Sequence, residues 1–357
     1  MSKLDTAPYK GVRDFYPEDQ FIQNYIKNVW KKTVESFGYE EYDASLLEHS
    51  EIYKEKSGEE IVNEQTFTFT DRGGRDVTLR PEMTPTIARM VAGKRRELGF
   101  PLRLYSIPNL FRYEATQRGR LREHWQLNVD LFGVEGTEAD LEIVKIGYQA
   151  LINFGANNSD FEIRLNSHSD NKEDLNKFIT RLNELGISNT IIDTTLARGQ
   201  AYYTGIVFEF FDTNKENGRS ILGGGRYDNL TELFGEKDLP VVGFGWGDVT
   251  TKDFLETHKL LPEYKPKTDL YIALVSNEYA KEALELGDFL RQAGLNVSID
   301  YSERKIGDQI KTALKHKTPN FLVFGEDEIK SQTYKVKNLI TESEKEVRKE
   351  EIKECVK

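Results

Sequence analysis

The sequence is almost without cysteine. Its single thiol, Cys355, stands near the end of 357 residues, so neither a disulfide framework nor a cysteine-ligated metal site organises the fold. Histidine is scarce as well: five residues, with no H-x-x-H or H-E-x-x-H spacing, leave nothing that reads as zinc ligation. Long apolar runs are missing, which excludes a transmembrane helix, and the opening MSKLDTAPYKGVRDF has no apolar stretch of signal-peptide length. A protein of the reducing cytoplasm is the expectation, with no membrane partner and no protein-held metal. Positive net charge is missing too. With 49 Lys and Arg against 60 Asp and Glu the formal charge is −11, so a polyanion is not held by bulk attraction and must be met by a local basic patch.

Such a patch exists. The segment FRYEATQRGRLREHWQLNVD (111–130) packs Arg112, Arg118, Arg120 and Arg122 into eleven positions, at the loop joining two strand-like runs, 102–114 and 124–132. If these pair as a hairpin, period two puts Arg112 and Glu114 on one face. On the returning strand His124, Gln126, Asn128 and Asp130 share a face, with Trp125, Leu127, Val129 and Leu131 opposite. Polar side chains in mid-sheet need partners, and a ligand cleft supplies them. The guanidinium fork suits phosphate or carboxylate. An exposed polar sheet face with solvated arginines is the competing reading.

Three further segments stand out. In GGGRYD (223–228) the glycines allow close approach of backbone or ligand; a bulge or tight crossing explains them equally, and no Lys-Ser or Lys-Thr follows to make a P-loop. In LARGQAYYTGIVFE (196–209) an arginine and two tyrosines precede a strand: Arg198 suits an anion, and one of Tyr202 and Tyr203 would enter a pocket while the other enters the core. TLRPEMT (78–84) sets Glu82 and Thr84 between a strand and a helix, either to receive an amine or simply to favour the helix N-terminus.

The surrounding pattern is α+β. An amphipathic helix precedes Gly38, TFTFTD and RDVTLRPE form a hairpin, and a helix begins near Thr84 with Pro85 in its first turn. Residues 139–154 and 171–186 read as helices around the strand DFEIRLN, and TGIVFEFFD, SILGGGRYD and VVGFGWG resume a mostly antiparallel sheet braced by helices. PEYKPKT reads as a linker, so the boundaries are a first domain 1–261, a linker 262–268 and a second domain 269–357. In the last, strand 270–275, helix 278–293, strand 295–300, helix 305–316 and strand 321–324 alternate as a small α/β domain with parallel strands. Lys305, Lys311, Lys315 and Lys317 gather around one of its helices, either to meet RNA or as a solvated face.

In their order and spacing the four segments resemble the signatures of the histidyl-tRNA synthetase family, class II aminoacyl-tRNA synthetases. GVRDFYPED near the start and the α/β tail, similar to that family's anticodon-binding domain, extend the likeness over nearly the whole chain. The resemblance implies a class II catalytic domain and a homodimer. It implies ATP and Mg²⁺ as cofactors, and histidine and tRNA(His) as partners. On it, Arg112 and Arg198 act at the α-phosphate, while Glu114, Arg120, His124, Gly224, Gly225 and Arg226 surround ATP. Glu82, Thr84 and Gln126 hold the histidine α-amino group, and Asp130, Tyr202 and Tyr203 surround the imidazole. Hydrogen bonds to both ring nitrogens would reject analogues that lack them.

Several positions depart from the family. Thr250 stands where an arginine is usual, with Lys252 two residues, roughly 200°, further round a helix. Ser45 replaces a proline near the implied dimer interface, and Gln200 and Ala201 replace leucine and aspartate. Ala115 and Thr116 replace an arginine and a proline associated with the extra 5′ guanosine of histidine tRNA, and no inserted helical domain fits between Asp130 and Arg198. Weak or altered discrimination of that guanosine is therefore expected. The competing function is a catalytically silent, histidine-sensing regulatory subunit of ATP phosphoribosyltransferase. Ala201 and Thr250 suit it; the retained arginines and the C-terminal domain do not. A tRNA-binding accessory protein without adenylation would leave the phosphate-seeking arginines unexplained.

Overall fold

The computed structural model describes residues 4–54, 65–167, 172–196 and 203–356. The chain divides into two units, Met1–Pro262 and Glu263–Lys357. The first is built on a nine-stranded sheet. Its strands are β1 (Glu40–Glu41), β5 (Leu102–Ser106), β6 (Asn109–Phe111), β7 (Glu123–Phe132), β8 (Phe161–Ser167), β9 (Thr190–Ile192), β10 (Ile206–Asp212), β11 (Ser220–Arg226) and β12 (Val241–Gly247). The path runs β1-β5-β7-β12-β11-β10-β8-β9, with β6 beside β7. Only its two edges, β1 with β5 and β8 with β9, are parallel. A small antiparallel sheet, β2 (Leu47–His49), β4 (Asp76–Leu79) and β3 (Phe67–Thr70), carries the expected hairpin.

The helices form where apolar residues recur at helical spacing. Helix α1 (Pro17–Ser36) has Pro in its first turn and buries Ile26, Trp30 and Val34 on one side. Gly38, with φ +81°, then turns the chain into β1 through a backbone shape that glycine adopts without strain. Helix α2 (Thr84–Lys94) likewise has a proline, Pro85, in its first turn. Helix α3 (Thr137–Asn153) buries Ile143, Val144, Ile146 and Ala150. Helices α1 and α3 cover one face of the large sheet, where Trp30, Phe154 and Trp246 meet at ring separations of 5.5 and 6.0 Å. Helix α4 (Lys172–Glu184) packs on β8, and helix α5 (Asp248–Thr257) continues directly from β12. The opposite face of the sheet centre is left for the site.

The second unit holds β13 (Leu270–Leu274), α6 (Ala280–Gln292), β14 (Val297–Asp300), α7 (Ile306–Lys315) and β15 (Asn320–Phe324), whose three strands are parallel, with a core on each face of the sheet. It is larger than the sequence pattern foretells: β16 (Thr333–Asn338) and β17 (Glu344–Arg348) add an antiparallel hairpin beside β15. In β16 Tyr334 and Val336 alternate with Lys335 and Lys337 over only four residues, and β17 is charged and largely exposed, so the hairpin carries too short an apolar alternation to mark two strands. The lysines around α7 are partly committed: Lys311 pairs with Asp308 at 3.0 Å.

Candidate active site

Strand register builds the floor. Asp130 of β7 lies opposite Gly243, which lies opposite Gly225, which faces Val207; the next row is Asn128, Gly245, Gly223 and Glu209. Because side chains alternate, Gln126, Asn128 and Asp130 share this face with Gly223, Gly225, Gly243, Gly245 and Gly247, while Leu127, Val129, Leu222, Phe244 and Trp246 enter the core. The glycines leave a trough and let longer side chains lie across it. A Cβ on Gly245 would fall 2.5 Å from Gln126 Nε2, one on Gly225 would fall 2.8 Å from Tyr203 Cδ1, and one on Gly243 would overlap Asp130 Oδ1.

Beside this floor opens a cleft of about 460 Å³, the size of a small-molecule site. The β6–β7 hairpin supplies Arg112, Glu114, Arg120, His124 and Gln126; the β10–β11 hairpin supplies Glu209 and Arg219; Thr250 comes from α5. Arg112 Nε donates to the Pro81 carbonyl at 2.9 Å, which ties the arginine to the turn carrying Glu82 and Thr84. Arg120 pairs with Glu114 at 2.6 Å. His124 has its pKa lowered to about 3, first by burial and then by Arg112, Arg13 and Arg120, so its ring is neutral at physiological pH.

The four clustered arginines therefore divide. Arg112 and Arg120 line the cleft. Arg118 lines an adjoining depression with Asp253. Arg122 is structural: buried, stacked 3.9 Å from the centre of the Tyr113 ring, with Nη1 donating to the Tyr9 hydroxyl at 2.8 Å and Nε to the Glu114 carbonyl at 3.2 Å.

Asp130 is the acidic pole. It is 4% exposed, and the Tyr227 hydroxyl donates to its Oδ1. Burial pushes its pKa up to about 7, against which the Tyr227 bond works in the opposite direction. A buried carboxylate that accepts from the Tyr227 hydroxyl and has no ion-pair partner among the described residues suits a ligand N–H or cation. Phosphate-seeking guanidiniums at one end and a carboxylate at the other fit a ligand set of opposite charge.

Known proteins resemble this chain along its whole length. The family model "Histidyl-tRNA synthetase" matches residues 11–169 and 163–247, and "Anticodon binding domain" matches 269–357. The chain belongs to the histidyl-tRNA synthetase family. It is 38% identical to the histidine–tRNA ligase of Leptospira biflexa, over 96% of this chain and 95% of that protein. It is 33% identical to that of Opitutus terrae, over 100% and 99%. The crystal structure of apo S. aureus histidyl-tRNA synthetase superposes with a TM-score of 0.86 at 26% identity, covering 99% of this chain and 100% of that one.

Within this family fold, the expected site residues separate by position. Arg112, Glu114, Arg120, His124 and Gln126 do meet at one cleft. Glu82 is buried at the start of α2, Thr84 is its first residue, and Tyr203 lies over Gly225. Arg198 and Tyr202 lie outside the described residues. Contrary to expectation, Gly224 and Arg226 face away from the cleft. Alternation turns Gly224 to the core side, where a Cβ would fall 2.7 Å from Phe244 Cα. Arg226 follows Gly225 by one residue and is committed elsewhere: it binds Asp140 of α3 at 2.6 Å and the Gly136 carbonyl at 2.8 Å. It braces a helix and does not reach the cleft. Lys252 also stays outside, paired with Glu256 along α5 at 3.6 Å. Two residues were not singled out from the sequence: Tyr227, which follows GGGR directly, and Arg219, which lies between the segments 196–209 and 223–228 and belongs to neither.

Proposed function

We infer that this chain is a histidine–tRNA ligase: it joins histidine to ATP as histidyl-adenylate with release of pyrophosphate, then passes the histidyl group to tRNA(His). What carries the reading is a glycine-floored cleft with convergent guanidiniums beside a buried carboxylate, in a chain whose relatives over its full length are histidine–tRNA ligases. As a class II enzyme it binds ATP along the Arg112–Arg120 wall. Arg112, held by Pro81, orients the α-phosphate and the histidine carboxylate. Neutral His124 offers a hydrogen bond without adding charge, and Arg198 stabilises charge at the same phosphate. Glu82, Thr84 and Gln126 hold the α-amino group; Asp130, oriented by Tyr227, takes an imidazole N–H, with Tyr202 and Tyr203 beside the ring. Positioning and fixed charge, not a general base, lower the barrier.

Among the described residues no cluster of three His, Cys, Asp or Glu side chains holds a metal by itself. Mg²⁺ needs only one or two carboxylates once substrate phosphates supply the rest, and Glu114 and Glu209 line the cleft, so the residues fit. When bound it neutralises phosphate charge. A homodimer in the cytoplasm completes the reading.

The regulatory alternative is not favoured. Residues 269–357 match an anticodon-binding domain, for which a histidine sensor has no use. Histidine-dependent ATP–pyrophosphate exchange without tRNA decides between them. Exchange by the wild type that collapses in Arg198→Ala supports the ligase; histidine binding by calorimetry without exchange supports the sensor. The chain is also shorter than its relatives: 96% of 357 residues, about 343, spreads over 415 aligned positions. The two family-model segments meet at 163–169, between Asp130 and Arg198. Reduced acceptor-stem contact follows, and charging of tRNA(His) with and without its extra 5′ guanosine tests it; a large preference for the extra nucleotide would contradict this part.

A further inference from the structure

We propose that Arg219 is an additional phosphate-binding residue of the cleft, delivered by a bulge in β11 that Thr250 holds in place, and that it takes the outer phosphates of ATP. The inference rests on the ATP-dependent reading above.

The β10–β11 pairing slips between Phe210 and Phe211: Phe210 faces Leu222 but Phe211 faces Ser220, so Ile221 has no ladder partner. Bulges of this kind end regular pairing beside binding sites and re-aim what comes next. The freed Ile221 carbonyl is taken by the Thr250 hydroxyl at 3.0 Å, which also reaches the Gly247 carbonyl at 3.2 Å. The loop before the bulge is pinned as well. Asn217 Nδ2 donates to Asp212 at 2.7 Å and to the Thr257 hydroxyl at 2.8 Å.

From this anchored loop Arg219 extends into the cleft. A Cβ on Gly119, at the tip of the arginine-rich loop, would meet Arg219 Cδ at 3.0 Å and Thr250 Cγ2 at 3.5 Å, so the three residues converge at one point. Arg120 is already neutralised by Glu114. Arg219, half-buried, has no ion-pair partner among the described residues. Burial and then Arg120 disfavour its charge, with Glu114 opposing them. Two guanidiniums side by side over one carboxylate are stable together when an anion joins them. Lys252, turned away to Glu256, is no substitute. This chain thus places its extra cation on β11 and uses Thr250 as its brace.

The test is pyrophosphate exchange on wild type, Arg219→Ala and Arg219→Lys, titrating ATP and histidine separately. Loss of a charge-assisted phosphate contact raises KM for ATP by roughly 10- to 100-fold in Arg219→Ala. Arg219→Lys falls between, and KM for histidine stays near the wild-type value in both, which also reports that the variants are folded. Parallel rises in both KM values would make Arg219 structural and overturn the proposal. So would an unchanged KM for ATP accompanied by a raised KM for tRNA in charging, which would assign the guanidinium to the RNA backbone. Absence of exchange in the wild type itself would instead reject the ligase reading on which the proposal stands.

Discussion

Asp130→Asn separates stability from function at a single atom pair. Asp130 is buried, accepts from Tyr227, and has no cation within ion-pair distance among the described residues. Its pKa rises from 3.8 to about 7. The folded state therefore holds the Asp130 proton more tightly than the unfolded chain does. The stability this confers is full below pH 3.8 and is lost as pH climbs through about 7. About three pKa units at 1.36 kcal/mol each set the loss at about 4 kcal/mol above pH 7. The asparagine amide oxygen can still accept from Tyr227 but never ionises. Asp130→Asn is thus expected to be more stable than wild type at pH 8.5, by up to about 4 kcal/mol, and within about 1 kcal/mol of it at pH 4. Trp30, Trp125 and Trp246 all belong to the first unit, so denaturant unfolding followed by tryptophan fluorescence reads the unit that contains the change. In the same variant histidine-dependent exchange should fall steeply, a stability–activity trade-off at the site. A variant less stable than wild type at pH 8.5, or a difference that does not change with pH, would refute the reasoning.

Other outcomes follow from the same geometry. His124, held to a pKa of about 3 by burial and by Arg112, Arg13 and Arg120, should show no imidazole titration by NMR between pH 5 and 8; a midpoint near 6.5 would contradict it. Gly225→Ala sets a Cβ 2.7 Å from the Ile206 carbonyl oxygen and 2.8 Å from Tyr203 Cδ1. Overpacking of this kind costs about 1–3 kcal/mol, and KM for histidine should rise more than KM for ATP. Arg122→Ala removes the stacked, hydrogen-bonded brace between Tyr9 and Tyr113, with a stability loss of about 2 kcal/mol by thermal or denaturant unfolding. Its exchange kinetics should suffer less than those of Arg120→Ala, whose side chain lines the cleft.

The linear sequence determined more of this protein than its weak local signals suggest. Period-two alternation along β7 already put His124, Gln126 and Asp130 on one face, because a strand's side chains alternate whatever surrounds them. Proline and glycine marked the ends of α1 and the start of α2 through backbone constraints that act within a few residues. Long-range placement escaped it. Four neighbouring arginines look alike in sequence, yet Arg122 stacks on aromatic rings while Arg112 and Arg120 face the cleft. The run GGGR reads as one motif, yet Gly225 lies under Tyr203 while Gly224 and Arg226 face the other way; only the pairing of β11 with β10 and β12 decides which glycine belongs to the floor. Arg226 was spent on Asp140, 86 residues away, and Arg219 joined Arg120 across two hairpins. Local pattern fixes which side of its own element a residue occupies, because that is set by backbone geometry. Which partner waits on that side is set by strand register and tertiary packing, and there the structure alone decided which charges are paired, as Arg226 is with Asp140 and Arg120 with Glu114.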